Sequence, residues 1–232
     1  VDFYLRGPVC HFHPESPQVA FLGAAQTFGT FAKFPFPTLV GEMLSVETLN
    51  LGRGGAGPGF YLNSPPCLEY VNHCQACVVQ VMSVRSSVNN FMMRSTRGLA
   101  SVEILRGNRK GEVMLGHLAF KKLYQEMPKH AFIRMIEESV KNYLRQYREL
   151  AAAIKVPTVL LYIGKDAPLP MEDYDASYEK GLGAVLGVHP HMVTEALLEQ
   201  LQELFDSTRM VYTRKGADRR LLEQHTGGYT EI

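Results

Sequence analysis

The sequence of 232 residues predicts an α/β fold, a doubly wound parallel sheet of about five strands covered by helices as a three-layer sandwich. Short apolar runs alternate with longer amphipathic stretches, as in parallel strands joined by crossover helices. The apolar runs are hydrophobic almost throughout, as expected for strands buried on both faces. A chain of this length normally builds one core, so we expect a single domain over residues 1–232.

Five apolar runs are predicted as strands. The first ends at Gly23, the second runs into a Gly-rich loop, and the third runs into a polar string. The fourth is followed by Gly164, and the fifth is weaker. In chain order the runs are 19–23, 46–50, 77–82, 158–163 and 209–212.

Helices are predicted between these runs. Proline opens the segments 37–44 and 65–73, which suits a first turn because its missing amide hydrogen would be unpaired there anyway. Amphipathic stripes predict further helices over 131–154 and 190–205. Residues 94–117 carry five basic residues and several glycines without any period, so we expect a structureless, mobile insertion or lid.

Composition excludes several classes of function. The chain has 24 basic and 23 acidic residues, a formal charge of +1, so no nucleic-acid partner is predicted. No apolar run is long enough to predict a membrane span. Four cysteines are too few for a disulfide framework in a chain of this length, which favours a cytoplasmic location.

The predicted binding site lies where the strands end. In an open parallel sheet, ligands bind beyond the carboxyl ends of the strands, near the point where the strand order reverses. That rule selects the loops 23–29, 52–57 and 83–90, which hold dense glycine and polar content. Their backbone N–H groups could cradle an oxyanion or a phosphate.

The first two loops carry motifs of a known superfamily. FLGAAQTFG, residues 21–29, resembles the first block of the SGNH/GDSL hydrolases, a strand ending in a Gly-Asp-Ser turn. LNLGRGGAGPGFYL, residues 49–62, resembles their second block, in which a loop amide binds the substrate oxyanion. The resemblance matches Asn50, Gly52 and Gly55 to that loop and implies a flavodoxin-like or SGNH-like sheet order.

The third loop extends the resemblance. VQVMSVRSSVNN, residues 79–90, stands in the place of the third SGNH block and puts Arg85, Asn89 and Asn90 near the site. The segments LRGP, GAAQTFG, NLGRGGAGP, QVMSVRSSVN and LGVHPHMV also resemble an uncharacterised bacterial family of unknown function. The SGNH resemblance implies a small or carbohydrate substrate that the protein binds and can change by acyl or ester transfer or by hydrolysis.

The chain departs from the SGNH pattern at the reactive positions. Ala25 replaces the nucleophilic serine and Ala24 the acidic residue before it. Alanine has no group that can attack a carbonyl, so a standard serine esterase is not predicted. The closing Asp-x-x-His block is matched by LGVH, which makes His189 the candidate base although the aspartate is replaced.

Other residues must therefore carry any chemistry. Arg85 can grip a carboxylate, sulfate or phosphate with two hydrogen bonds. Asp166 follows the fourth strand where a general base could stand, and His189 completes the predicted catalytic set. The predicted ligand-binding residues are Gly23, Ala25, Gln26, Thr27, Gly52, Gly55, Arg85, Asn89 and Asn90.

Two alternatives stay open at this point. The loop LGAAQTFGTF distantly resembles the phosphosulfate loop of sulfotransferases, with Gln26 at the lysine position, which implies an adenylylated sulfate donor. Loss of the serine also suits a catalytically inactive ligand-binding module. No metal is predicted, because the single pair Cys74 and Cys77 is weak evidence for zinc, and no cofactor is predicted. The oligomeric state is left open.

Overall fold

A computed structural model describes residues 17–170 and 173–213. The strands in these residues are β1 (Gln18–Leu22), β2 (Glu47–Asn50), β3 (Ala76–Gln80), β4 (Met93–Ser95), β5 (Ser101–Ile104), β6 (Val113–Leu115), β7 (Thr158–Gly164) and β8 (Ser207–Tyr212). The α-helices are α1 (Ala25–Phe28), α2 (Phe36–Leu44), α3 (Pro58–Leu62), α4 (Pro65–His73), α5 (Gly116–Glu126), α6 (Lys129–Ala153), α7 (Tyr174–Glu179), α8 (Leu182–Leu186) and α9 (Glu195–Gln202). A short 3₁₀ helix spans Val84–Ser86.

The main sheet confirms the predicted fold class. Its five strands are all parallel and lie in the order β2-β1-β3-β7-β8. Numbered along the chain, this is the flavodoxin-like order 2-1-3-4-5, whose switch point lies between the first and third strands. Loops leaving the carboxyl ends of β1 and β3 therefore meet at the edge where a ligand is expected.

The predicted elements are found with shifted ends. Helices α2 and α4 begin at Phe36 and Pro65, each with proline in its first turn. The prediction of a helix over 190–205 is wrong at its start. Helix α9 begins at Glu195, because the Thr194 hydroxyl oxygen accepts a hydrogen bond from the Leu197 amide (3.2 Å) and caps the helix there.

Residues 94–117 are not structureless, so that prediction is wrong. They contain most of a three-stranded antiparallel sheet in the order β4-β5-β6, in which Val102 and Ile104 are buried against the core. These strands have three or four residues each, too few to display a two-residue period. Mobility of this segment as a lid stays a prediction.

Helix α6 fixes the chain where it leaves β3. The Tyr147 hydroxyl donates to the Gln80 carbonyl and accepts from the Met82 amide, each at 2.9 Å. The Tyr143 hydroxyl donates to the Met82 carbonyl (2.7 Å), and both tyrosine side chains are fully buried. Two core side chains thus satisfy backbone groups that no strand partner pairs, which holds the loop after β3 in place.

Among the described residues, no helix is both long enough and apolar enough to cross a membrane. The LRGP segment and the tail 214–232 lie outside the described residues.

Candidate functional site

The predicted loops meet at the switch point. Residues 23–26 follow β1, and residues 81–86 follow β3, its neighbour in the sheet. The Gly-rich loop after β2 joins them, because the Arg53 amide donates to the Gly23 carbonyl (2.9 Å). A fourth segment, 187–192, closes the group through a hydrogen bond from the Val84 amide to the His191 carbonyl (3.1 Å).

Gly23, a predicted ligand-binding residue, is closely packed and hydrogen-bonded within the protein. The Tyr61 hydroxyl accepts from the Gly23 amide (2.8 Å) and donates to the Gly23 carbonyl (2.7 Å). A Cβ atom at Gly23 would lie 2.1 Å from the Thr27 hydroxyl oxygen, so no side chain fits. The backbone of Gly23 is therefore engaged within the protein.

The second loop also differs from the SGNH expectation. The Gly52 amide, predicted to bind an oxyanion, donates to Asn50 Oδ1 (3.0 Å), while Asn50 Nδ2 donates to the Thr27 carbonyl (2.8 Å). A Cβ atom on Gly52 would lie 2.4 Å from the Phe28 amide nitrogen. Gly55 has φ +77°, a left-handed turn that favours glycine. These residues hold the loop against α1 by packing and hydrogen bonding.

A polar relay, defined here as Gln80, Gln26 and His189, crosses the site. Gln80 Oε1 accepts from Thr27 Oγ1 (2.7 Å) and from the amides of Ala24 (3.1 Å) and Thr27 (3.3 Å). All three partners are hydrogen-bond donors, so the side-chain amide of Gln80 must present its oxygen to them and its NH₂ group to the opposite side. Gln80 Nε2 then donates to Gln26 Oε1 (3.1 Å), which turns Gln26 Nε2 towards His189.

The relay favours a neutral His189. Gln26 Nε2 lies 3.1 Å from Nδ1 and 3.0 Å from Nε2 of the ring, and it can only donate. A doubly protonated imidazolium has no acceptor to offer it. Burial, followed by the proximity of His191 and Arg85, lowers the pKa of His189 to about 4. His189 is therefore uncharged at neutral pH, with one lone pair engaged by Gln26.

His191, which sequence reasoning missed, has the arrangement of a base. Its Nδ1 lies 3.0 Å from the Gly187 carbonyl, so Nδ1 carries the proton and Nε2 holds the lone pair when the ring is neutral. Its amide donates to Ser83 Oγ (3.1 Å), and its ring centroid lies 5.9 Å from that of His189. Burial and the charge of Arg85 lower its pKa. The only signal in the sequence is the His-Pro-His triplet.

Arg85 is a half-buried cation without a counter-charge in the described part of the chain. It lies in the 3₁₀ helix Val84–Ser86, and its Nε atom is fully buried with no hydrogen-bond partner among the described residues. It forms no ion pair there either. Its side chain packs against Gly116, whose Cβ would lie 3.2 Å from Arg85 Cγ. Burial lowers the pKa of Arg85.

Asn90 and Asn89, two predicted ligand-binding residues of the third loop, lie in different surroundings. Asn90 is buried, and its Oδ1 accepts from the amides of Met92 (2.8 Å) and Met93 (2.9 Å). Its Nδ2 donates to Ser139 Oγ (2.9 Å), so the side chain shapes a turn instead of reading a ligand. Asn89 is exposed and pairs by backbone with Arg94.

The remaining predicted site residues lie in the first helical turn and after β7. Ala25 begins α1, with Gln26 and Thr27 after it. Asp166 follows β7, where its carbonyl accepts from the Tyr162 hydroxyl (3.2 Å), and its role as a base stays a prediction. Cys74 and Cys77 are buried, and within the described ranges no three His, Cys, Asp or Glu side chains form a metal-binding group.

Comparison with known proteins finds one family model that matches part of the chain, and that model names no reaction. A domain of unknown function, DUF6473, matches residues 2–97, which include all three predicted loops and Arg85 but neither histidine of the site. No curated protein matches the chain.

Two solved structures are weakly similar to this chain. One is a provisionally named platelet activating factor from Streptococcus pneumonia, with TM-score 0.35 and 12% identity over 87% of this chain and 68% of its own. The other is a gut microbial diltiazem-metabolizing enzyme, with TM-score 0.32 and 14% identity over 82% of this chain and 33% of its own. These similarities carry no argument about activity, and they do not show the SGNH/GDSL resemblance.

Proposed function

We propose that the protein binds a small anionic ligand at the carboxyl edge of its sheet and converts it by hydrolysis or transfer, as an SGNH-like protein without the serine nucleophile. Arg85 is the anion receptor, and His191 is the general base. The observation that carries this proposal is the half-buried guanidinium of Arg85, which has no counter-charge among the described residues.

Electrostatics favour an anion at this place. A charge that is partly removed from water loses hydration and interacts more strongly with an opposite charge than it would in bulk solvent. Both neighbouring imidazoles have lowered pKa values, so at neutral pH they add no competing positive charge. Arg85 therefore offers a carboxylate, sulfate or phosphate a partner with fork-shaped donors.

The two histidines differ in which ring nitrogen is free to act as a base. His189 has a lone pair engaged by Gln26, whereas His191 has its proton held on Nδ1 by the Gly187 carbonyl. His191 Nε2 can take a proton from water as the water oxygen bonds to the ester carbonyl carbon. The alcohol then leaves with that proton as the carbon–oxygen bond breaks. No acyl-enzyme forms at Ala25, because alanine offers no nucleophile.

The two alternatives make different predictions. A sulfotransferase-like loop needs open amides for phosphate, yet Gln80 already accepts from the amides of Ala24 and Thr27. This occupancy disfavours the sulfotransferase-like interpretation. A binding module without activity would retain the Arg85 site but would show no turnover.

Ligand-induced stabilisation of the full chain tests the binding claim. Thermal unfolding is followed with succinate, sulfate or phosphate at constant ionic strength, for the wild type and for the R85Q and R148Q variants. Arg148 is an exposed arginine on α6, so R148Q is the matched control for charge. We expect R85Q to weaken binding about tenfold, roughly 1.4 kcal/mol, and R148Q to change nothing. Equal behaviour of the two variants would overturn the proposal.

Turnover tests the base. With monomethyl succinate as probe, we expect slow ester hydrolysis that H191Q abolishes while the affinity for succinate is retained. Hydrolysis that survives in H191Q would remove His191 from its proposed role. A response to adenosine 3′,5′-bisphosphate that survives both in R85Q and in the double variant R53Q/R97Q would instead favour the sulfotransferase-like alternative.

A further inference from the structure

A second concave surface lies on the other side of the Gly-rich loop. It is a cleft of about 800 Å³ between the turn that joins α3 to α4 and the first strands of the small sheet. None of the Gln80, Gln26, His189 and His191 side chains lines it. The volume falls within the range of pockets that hold drug-sized ligands, roughly 300–1,000 Å³. The cleft therefore needs an explanation separate from the site around Arg85.

The cleft carries an excess of positive charge. Arg53, Arg94 and Arg97 line it, against a single carboxylate from Glu103. Arg94 is paired with Glu103 at 2.8 Å, which neutralises both groups. Arg53 and Arg97 form no ion pair with any residue of 17–170 or 173–213. Two guanidinium groups from different loops thus line one cavity without counter-charges.

Both arginines are held by their backbones. The Arg53 amide donates to the Gly23 carbonyl, and the Arg53 carbonyl accepts from the Ala56 amide, each at 2.9 Å. Arg97 has φ +56°, a left-handed conformation that side chains with a Cβ atom seldom adopt. Strained backbone of this kind persists where surrounding contacts over-determine it, and it clusters at ligand-binding sites.

Contacts between the Gly-rich loop and the residues that follow Arg97 fix the backbone of Arg97. The Gly57 amide donates to the Gly98 carbonyl (2.9 Å), and Ala56 forms a backbone bridge with Leu99. A Cβ atom on Gly98 would lie 2.1 Å from the Phe60 amide nitrogen, so the turn is pressed against the start of α3. The turn and the Gly-rich loop therefore form one clamped unit that presents Arg97 to the cleft.

The rest of the lining is amphipathic. Phe60, Leu99 and two consecutive prolines at the start of α4 supply apolar surface, and Ser64 and Thr96 supply hydroxyl groups. Cationic donors beside an apolar wall suit a molecule with an anionic group and a planar or apolar body. The fork of a guanidinium matches tetrahedral oxyanions with two hydrogen bonds.

We propose that this cleft binds a phosphate or sulfate monoester of about nucleotide size. The oxyanion lies between Arg53 and Arg97, and the organic body packs against Phe60 and Leu99. The proposal is independent of the site around Arg85, because it uses other side chains and a different cavity. The backbone contact of Arg53 with Gly23 makes the two sites neighbours across one loop.

Titration calorimetry on the full chain tests the proposal, with adenosine 5′-monophosphate, phenyl phosphate and phenyl sulfate as probes. We expect at least one of the three to bind, and R53Q/R97Q to weaken that binding at least tenfold. R85Q and R148Q should leave it within twofold. Binding should also weaken as salt is raised, because the charges involved are partly exposed. A response to both phenyl esters indicates a site for either oxyanion, whereas phenyl phosphate alone identifies the phosphate ester.

Three results would overturn the proposal. They are the absence of binding with all three probes at millimolar concentration, an unchanged affinity in R53Q/R97Q, and a loss of affinity confined to R85Q. The last result would assign the anion to the site around Arg85. Because Arg97 is exposed, R97Q alone tests the cleft if the double variant does not fold, and its circular dichroism spectrum serves as the check.

Discussion

Gln80 Nε2 donates to Gln26 Oε1 over 3.1 Å, and this contact sets the hydrogen-bond direction that reaches His189. Gln80 is itself oriented by the backbone of the first helical turn. The charge state of an imidazole is thus coupled to amides at the end of a neighbouring strand. Burial of His189 and the nearby charge of Arg85 also lower the pKa of His189, so they too favour the neutral ring.

Gln80→Glu tests this coupling directly. The carboxylate can still accept from Ala24 and Thr27 but cannot donate to Gln26. Gln26 is then free to turn its oxygen towards His189, and the added negative charge favours an imidazolium. We expect the pKa of His189 to rise above about 4, measured by the proton chemical shift of its ring as pH is varied. An unchanged or lower pKa would contradict the relay, and Q75E is a control at a distant glutamine.

Stability should depend on pH through His189. Its pKa is about 4 in the folded protein and about 6.5 when unfolded, so between these values the unfolded chain binds more protons. The free energy of unfolding should therefore fall as pH drops from 6.5 to 4, by about 3 kcal/mol from this group at most. Urea unfolding of the wild type and of H189N measures the difference. H189N should have a flatter profile, and identical profiles would count against a buried neutral histidine.

Arg97→Gly should stabilise the fold while weakening anion binding in the cleft. Glycine adopts φ +56° without the steric cost that arginine bears, although it loses more entropy on folding. The net gain in the free energy of unfolding should be no more than about 1 kcal/mol. Urea unfolding measures it, with R94G, at a strand position in β4, as a control expected to destabilise. A clear loss of stability in R97G would show that the arginine side chain holds the turn.

Asn90→Ala should destabilise the protein, whereas Asn89→Ala should not. The Asn90 side chain bonds two backbone amides and Ser139 in a buried place, and its removal leaves these groups unpaired. The expected loss is about 2–3 kcal/mol in the free energy of unfolding. Asn89 is exposed, so its truncation should cost less than about 0.5 kcal/mol. Equal effects in urea unfolding would disprove the structural role of Asn90.

The sequence predicts the main sheet well because its central strands β1 and β3 are largely buried and appear in the sequence as short apolar runs, whereas the edge strand β8 is mostly exposed. It also places residues 23–29 and 83–90 after the two strands that flank the switch point of the strand order, where a ligand is expected. The partners of Gly23 and Gly52 are not predictable in the same way. Tyr61 and Gly23 are 38 positions apart in the sequence, and no local sequence pattern predicts the hydrogen bonds between them.

The choice between the two histidines also depends on contacts invisible in the sequence. The resemblance to a hydrolase block selects His189, yet a backbone carbonyl four residues before His191 determines where the proton sits on that ring. Strands β4–β6 are not predicted from the sequence for a different reason. They are too short for a period to emerge, and the glycines that lie between them suggest a loop.

The bond between the His191 amide and Ser83 joins residues 108 positions apart, which has a consequence for the order of folding. Closing so long a loop costs conformational entropy before any contact compensates for it, so such pairings form late. Arg85 lies far ahead of both histidines in the chain, so we expect it to meet them late in folding. Ester turnover, which in our proposal needs both Arg85 and His191, would therefore report a completed tertiary structure, and a kinetic experiment can use it to time the last step of refolding.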